Sequence, residues 1–165
     1  MKQLKLYYID NKYIQYLRKY DSKILYNKNS TRPYIGIVYT YKEVNYFAPL
    51  SSPKPKHRKI KDNAVDIFKL DNGILGVINI NNMIPVPKEF LIEVLPLITD
   101  KKYKVLLENQ LTFINNHKSK LYSKVLQFQS RYRKGFLSKN ILDRSCNLNL
   151  LEEKYVQYIE KNSNI

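Results

Sequence analysis

Apolar residues change their spacing several times along this chain. Leu4 to Ile9 is a short extended run. Asp10 follows, and an aspartate before a helix can accept hydrogen bonds from its free N–H groups. Tyr13, Ile14, Leu17 and Tyr20 then recur at i, i+1, i+4 and i+7, which predicts one buried helical face, with Lys12, Arg18 and Lys19 on the other. Asp21 to Thr31 reads as a polar connection carrying Ile24, Leu25 and Tyr26. Tyr34 to Tyr41 is β-branched and aromatic with no helical period, and Tyr46 to Leu50 resumes that pattern after Lys42-Glu43-Val44-Asn45. This predicts two strands joined by a polar turn that one valine interrupts. Ala64 to Lys69 and Ile74 to Ile80 predict a second hairpin closing on Asn72-Gly73, since Asn-Gly is the strongest short hairpin signal. Asn81 to Pro87 ends that hairpin in a proline-fixed segment. Phe90 to Leu97 reads as a further strand, with a short helix as the alternative.

The pattern becomes helical at Asp100, and from there to Lys134 there is no proline or glycine. Val105, Leu106, Phe113 and Ile114, with Leu111 adjacent, mark one face, and Leu121, Val125, Leu126 and Phe128 continue it past a break near Asn115-Asn116. Gly135 is placed to end that helix, as a residue free to turn left-handed. A last helix runs from about Leu148 to Lys161, with Asn147 or Asn149 as its cap. The expected fold class is α+β: one domain over 1–165, with five or six antiparallel strands mostly within 4–98 and about four helices mostly within 100–161.

Charge adds the first functional constraint. Lys and Arg number 29 against 14 Asp and Glu, a net charge of +15. A basic domain of this kind is suited to a polyanion. The cations are concentrated: Lys54, Lys56, Arg58, Lys59 and Lys61 have no acid among them, and between Lys101 and Arg144 the only acids are Glu108 and Asp143. The single cysteine, Cys146, excludes an internal disulfide and a cysteine-based zinc site. No apolar run approaches the ~20 residues of a membrane span, and the amino terminus lacks a signal-peptide pattern. The expectation is a cytoplasmic protein with no membrane partner.

Chemistry gathers at the end of the second central strand. Ser51, Ser52 and Lys54 stand among three prolines that lack N–H groups: Pro49 suits an edge or strand end, and Pro53 and Pro55 stop the ladder. His57 and the cations follow. Hydroxyls on a stiff corner beside positive charge suit binding a phosphate and stabilising charge that develops on it. Metal-free RNA cleavage asks for little more, because the substrate's 2′-OH is the nucleophile. Lys54 would balance charge on the phosphorane, Ser51 and Ser52 would donate to its oxygens, Tyr13 would join them if its helix packs beside the strand ends, and Arg32 would grip a phosphate. Lys56, His57, Arg58 and Lys59, with Lys118, Lys120, Lys124, Arg131 and Arg133, would carry the RNA backbone. No metal or cofactor is expected. A non-catalytic RNA-binding module is the rival reading, and a DNA-binding protein a weaker third.

The segments KYIQYL (12–17), DSK (21–23), RPYIGI (32–37), YFAPLSSPK (46–54), FKL and GILGVINI within 68–80, NNMIPVP (81–87) and NLLEEKY (149–155) resemble the ToxN/AbiQ family of endoribonuclease toxins from type III toxin–antitoxin systems. The resemblance covers nearly the whole chain. It implies a strongly bent antiparallel sheet like that of the MazF/Kid toxins. It also implies metal-independent cleavage of adenine-rich RNA, leaving 2′,3′-cyclic phosphate and 5′-OH ends. The implied partners are cellular or phage mRNA as substrate and a small repeated pseudoknot RNA as antitoxin. The toxin would process that RNA and assemble with it into an RNA-bridged hetero-oligomer. The family's hydroxyl-hydroxyl-Pro-Lys segment falls on Ser51, Ser52 and Lys54, its helical tyrosine on Tyr13, and its basic residue before the central strand on Arg32.

Overall fold

The computed structural model describes residues 2–163. Its elements in chain order are β1 (Lys5–Ile9), α1 (Asn11–Arg18), β2 (Tyr34–Tyr41), β3 (Val44–Ser51), β4 (Ile67–Lys69), β5 (Val77–Asn79), β6 (Ile84–Pro85), β7 (Leu91–Glu93), α2 (Lys101–Asn116), α3 (Lys118–Lys134), α4 (Lys139–Arg144) and α5 (Leu148–Ser163). The fold is α+β, with one strand more than expected and the short α4 not foreseen. Caps fall where the sequence put them. Asp10 accepts from the Tyr13 amide at 3.1 Å, Asn147 Oδ1 accepts from the Leu150 amide at 3.2 Å, and Gly135 ends α3 at φ +75°.

All strand pairs are antiparallel, in the order β4-β5-β3-β2-β1-β7, and β6 also pairs with β3. β3 is the hub. One edge lies against β2, and the other is shared: Tyr46 and Phe47 pair with Pro85 and Ile84 of β6, while Leu50 and Ser51 pair with Ile78 and Val77 of β5. The handover falls at Ala48-Pro49. Pro49 has no N–H to leave unpaired, so the ladder can break there without cost. The expectation that Pro49 marks an edge or strand end is corrected: it is buried in a central strand, opposite Tyr34.

Alternation along β3 serves two cores. Tyr46, Ala48 and Leu50 join Ile35, Ile78 and the α3 residues Leu121, Val125 and Phe128, whereas Phe47 joins Tyr13, Ile14 and Leu17 of α1 and Leu151 of α5. The sheet is thus covered on both faces.

Three local expectations change. The first turn is only Lys42-Glu43, both left-handed (φ 47° and 66°), and Val44 already pairs in β3; two consecutive positive φ values match the twist of a tight hairpin. Asn72-Gly73 does not close a two-residue turn. Asp71, Asn72, Gly73 and Gly76 all have positive φ, and Leu70 N donates to Gly76 O at 3.0 Å, so this loop folds on itself and shortens β4 and β5. Phe90 to Leu97 yields three strand residues and then a helical turn over Leu95–Leu97, because Pro96 cannot donate to a ladder. The α2 stripe also shifts. Leu107, Gln110 and Ile114 are buried while Val105 is 53% exposed, and in α3 Leu126 is 58% exposed. Gln110 occupies a core position because its Nε2 donates to Leu75 O at 2.8 Å.

Gly36 in β2 leaves room for Phe47: a Cβ there would lie 2.1 Å from the ring. Gly36→Ala should destabilise the fold by about 1–3 kcal/mol through overpacking. Thermal denaturation should show a melting point lowered by several degrees, and an unchanged one would contradict the packing.

Candidate active site

Ser51 is the last residue of β3 and is half-buried, while Ser52 and Lys54 beyond it are exposed. The corner is fixed from three sides. First, Pro55 opens a helical turn over Pro55–Lys59, in which the Lys54 amide donates to His57 Nδ1 at 3.3 Å and the His57 amide donates to Lys54 O at 2.9 Å. Second, the loop after β4 packs beneath it. A Cβ on Gly76 would lie 2.2 Å from Ser51 O, and one on Gly73 2.8 Å from His57 O; both glycines also have positive φ, which L side chains adopt rarely. Third, Arg32 Nε donates to Tyr26 O at 2.6 Å and its Nη1 to Leu50 O at 3.3 Å. Burial lowers the Arg32 pKa from its ordinary value.

Arg32, through its bond to Leu50 O, thus lies beside the strand end that carries Ser51 and leads into Ser52 and Lys54. Lys56, Arg58 and Lys59 are exposed on the adjoining turn. The basic block of α3 meets this segment at Asp62, whose carbonyl accepts from Lys124 Nζ at 3.0 Å and whose carboxylate pairs with Lys69 at 2.6 Å. Between them lies a cleft of about 410 Å³ lined by Asp62, Phe68, Lys69, Lys120, Lys124 and His117, among others. His117 stacks on Phe113 with ring centroids 4.1 Å apart and bonds Phe113 O through Nδ1. Lys118 Nζ donates to Lys2 O at 3.5 Å, Lys120 is exposed at the cleft, and Arg131 is exposed near the end of α3.

Three expectations are corrected. Tyr13 is fully buried, with its hydroxyl donating to Pro85 O and its ring stacked on Phe90. Pro85 pairs with Tyr46, five residues before Ser51 in β3. Tyr13 is a core residue, and its phenol is engaged by the Pro85 carbonyl and not exposed to solvent. His57 is 3% exposed and faces the Lys54 backbone, not solvent; burial, then Lys56 and Lys54, lower its pKa, and a neutral ring keeps Nδ1 an acceptor. Arg133 is held by the Glu152 carboxylate and Asn149 and lies 4.0 Å over the Tyr41 ring, while Tyr46 donates to the same Glu152. Burial opposes the Arg133 charge, and Glu152 outweighs it. This arginine ties α3 to α5 through Glu152 and to β2 through Tyr41. Reasoning from sequence missed Asn79, whose Nδ2 lies 2.9 Å from Ser51 Oγ; nothing local to Asn79 signals a partner so distant in the chain. Among the described residues, no three His, Cys, Asp or Glu gather as a metal-ligand set, and no helix is long and apolar enough to cross a membrane.

The fold is thus a basic α+β protein on a twice-covered antiparallel sheet, with a hydroxyl-and-lysine corner next to Arg32 and a lysine-lined cleft against α3. The chain matches the family model for toxin ToxN of type III toxin–antitoxin systems over residues 5–156. It is 36% identical to endoribonuclease ToxN of Pectobacterium atrosepticum over 163 residues, covering 92% of each chain. It is 34% identical to endoribonuclease AbiQ of Lactococcus lactis subsp. lactis, covering 97% of this chain and 92% of that one. A solved structure of AbiQ, an anti-phage endoribonuclease of that system type, superposes with a TM-score of 0.82 at 30% identity, over 96% of this chain and 99% of the other. Another, from work on selective toxin inhibition by a non-coding RNA pseudoknot, gives 0.78 at 29% identity with the same coverage. The protein belongs to the ToxN toxin family, the endoribonuclease toxins of type III toxin–antitoxin systems.

The lowered His57 pKa has a sign. The unfolded chain, with an ordinary histidine near 6.5, binds this proton more readily than the fold does. Stability from neutral His57 is therefore present above pH 6.5 and declines as pH falls towards the lower native value. His57→Asn keeps an acceptor near the Nδ1 position and cannot titrate. It should remove this component from a plot of stability against pH, and an unchanged plot would refute it.

Proposed function

We propose that the protein is a metal-independent endoribonuclease that cuts adenine-rich single-stranded RNA at the Ser51–Lys54 corner. The substrate's 2′-OH gives up its proton as its oxygen attacks the adjacent phosphorus, the bond to the 5′ oxygen breaks, and that oxygen takes up a proton as it leaves, so the proton lost at 2′ balances the one gained at 5′. The products are a 2′,3′-cyclic phosphate and a 5′-OH. Ser52 and Ser51 donate hydrogen bonds to the phosphate oxygens, and the Lys54 ammonium offsets the charge that accumulates on them. Arg32, fixed at Leu50 and Tyr26, has guanidinium N–H groups left to hold a neighbouring phosphate. Buried Tyr13 is left out of this scheme, and neutral His57 shapes the corner without touching RNA.

The observation that carries this reading is the placement of Ser52 and Lys54, both exposed on a corner braced by His57, Gly73 and Gly76. Their backbone is positioned before substrate arrives, as charge stabilisation requires. Lys56, Arg58, Lys59, Lys118, Lys120, Lys124 and Arg131 extend the positive surface along the RNA on either side. The sheet, with β3 passing from β6 to β5, is of the bent kind found in MazF/Kid toxins. The inhibitor and processed substrate is a repeated pseudoknot RNA that bridges toxin subunits into a closed hetero-oligomer. The remaining targets are cellular or phage mRNA in the cytoplasm, and the biological outcome is phage resistance or maintenance of the locus. The whole chain folds as a single toxin domain.

Purified protein with adenine-rich RNA in EDTA should give cyclic-phosphate ends. Lys54→Ala and Ser52→Ala should each slow cleavage on the order of 10²-fold while the fold stays intact; full activity in both would leave a non-catalytic RNA-binding module as the better account. Binding of single-stranded RNA should weaken linearly in log–log plots against salt, with a slope near −0.7 per phosphate neutralised. Lys120→Ala with Lys124→Ala should flatten that slope, and an identical slope would remove α3 from the interface.

A further inference from the structure

Ser51 and Asn79 meet by sheet geometry. Leu50 pairs with Ile78 and Ser51 with Val77, so continuing the register sets Pro49 opposite Asn79. With a period of two, residues 49 and 51 of β3 and 77 and 79 of β5 project to one face, and Asn79 reaches both Pro49 and Ser51. Its Nδ2 lies 3.3 Å from Pro49 O and 2.9 Å from Ser51 Oγ.

The Pro49 carbonyl fixes which way the amide points. A carbonyl oxygen can only accept, so the NH₂ end of Asn79 must face it, and the same NH₂ then donates to Ser51 Oγ. A serine hydroxyl has one hydrogen to give and two lone pairs to receive. With one lone pair taken by Asn79, the hydroxyl hydrogen is turned away from β5. It has no acceptor among the described residues.

We propose that Asn79 is a positioning residue that fixes the polarity of Ser51, holding its hydroxyl as a donor aimed at the phosphate oxygen. Asn79 touches no reacting atom and acts through Ser51. The idea rests on the Ser51–Lys54 corner being the cleavage site.

The test is a double-mutant cycle on cleavage of an adenine-rich RNA oligonucleotide by the full chain. Affinity is measured in parallel with the same oligonucleotide carrying 2′-deoxyribose, which cannot react. Asn79→Ala should lower kcat on the order of tenfold with little change in affinity. In a Ser51→Ala background the same substitution should have almost no further effect, because the two act as one unit. Asn79→Asp, nearly the same shape but an acceptor in place of the donor, should lower kcat at least as far as Asn79→Ala. Melting curves select the variants that remain folded. Multiplicative effects of Asn79→Ala and Ser51→Ala would overturn the inference, as would full activity of folded Asn79→Asp. Failure of the unaltered protein to cut RNA would instead overturn the functional reading beneath it.

Discussion

The structure depends on the way β3 is held. One edge is paired with β2, and the other passes from β6 to β5 at Pro49. A strand gripped on both edges cannot fray at its end, so Ser51 is delivered to the surface with its backbone fixed. The corner that follows has few apolar contacts of its own, and its order is borrowed from this strand. Two covered faces reinforce the effect: shifting β3 by one residue would exchange the side chains serving the two cores, so its register is set by burial.

Around that strand end, polar contacts replace packing. His57 accepts from the Lys54 backbone, Asn79 donates to Ser51, Arg32 donates to Leu50 O, and two left-handed glycines allow the 70–76 loop to lie against the turn. Each of these groups points inward at the backbone or at a hydroxyl. The exposed groups, Ser52 and Lys54, are left without such duties. This division suits a site that stabilises charge, since donors already in place need not reorganise as the reaction proceeds.

The distribution of arginines and lysines follows similar logic. Arg133 and Arg144 are consumed by Glu152 and by buried Asp66, and they join helices to the rest of the fold. Lysines along the 54–61 segment and α3 keep their charge at or near the surface. The net charge of +15 is thus partly internal cement and partly an outward-facing field, and only neighbours in space tell the two apart.

Much of the architecture was legible along the chain. The caps at Asp10 and Asn147, the αL glycine at 135, the break between α2 and α3 and the central hairpin all rest on local rules: a side chain bonding its own backbone a few residues away, or a period set by helix or strand geometry. The Ser51–Lys54 corner was legible because prolines punctuate it. Tyr13, His57 and Arg133 were misplaced because amphipathic spacing or charge says that a residue is polar-tipped, not whether its tip meets solvent, a carbonyl or a carboxylate. Gln110 hid in the buried stripe of α2 for the same reason. Sequence alone therefore determined the α+β plan, the family and the set of hydroxyls and cations gathered at the end of β3. Tertiary structure alone decided which polar groups are inward braces and which remain outward, because that choice depends on partners brought together across strands far apart in the chain.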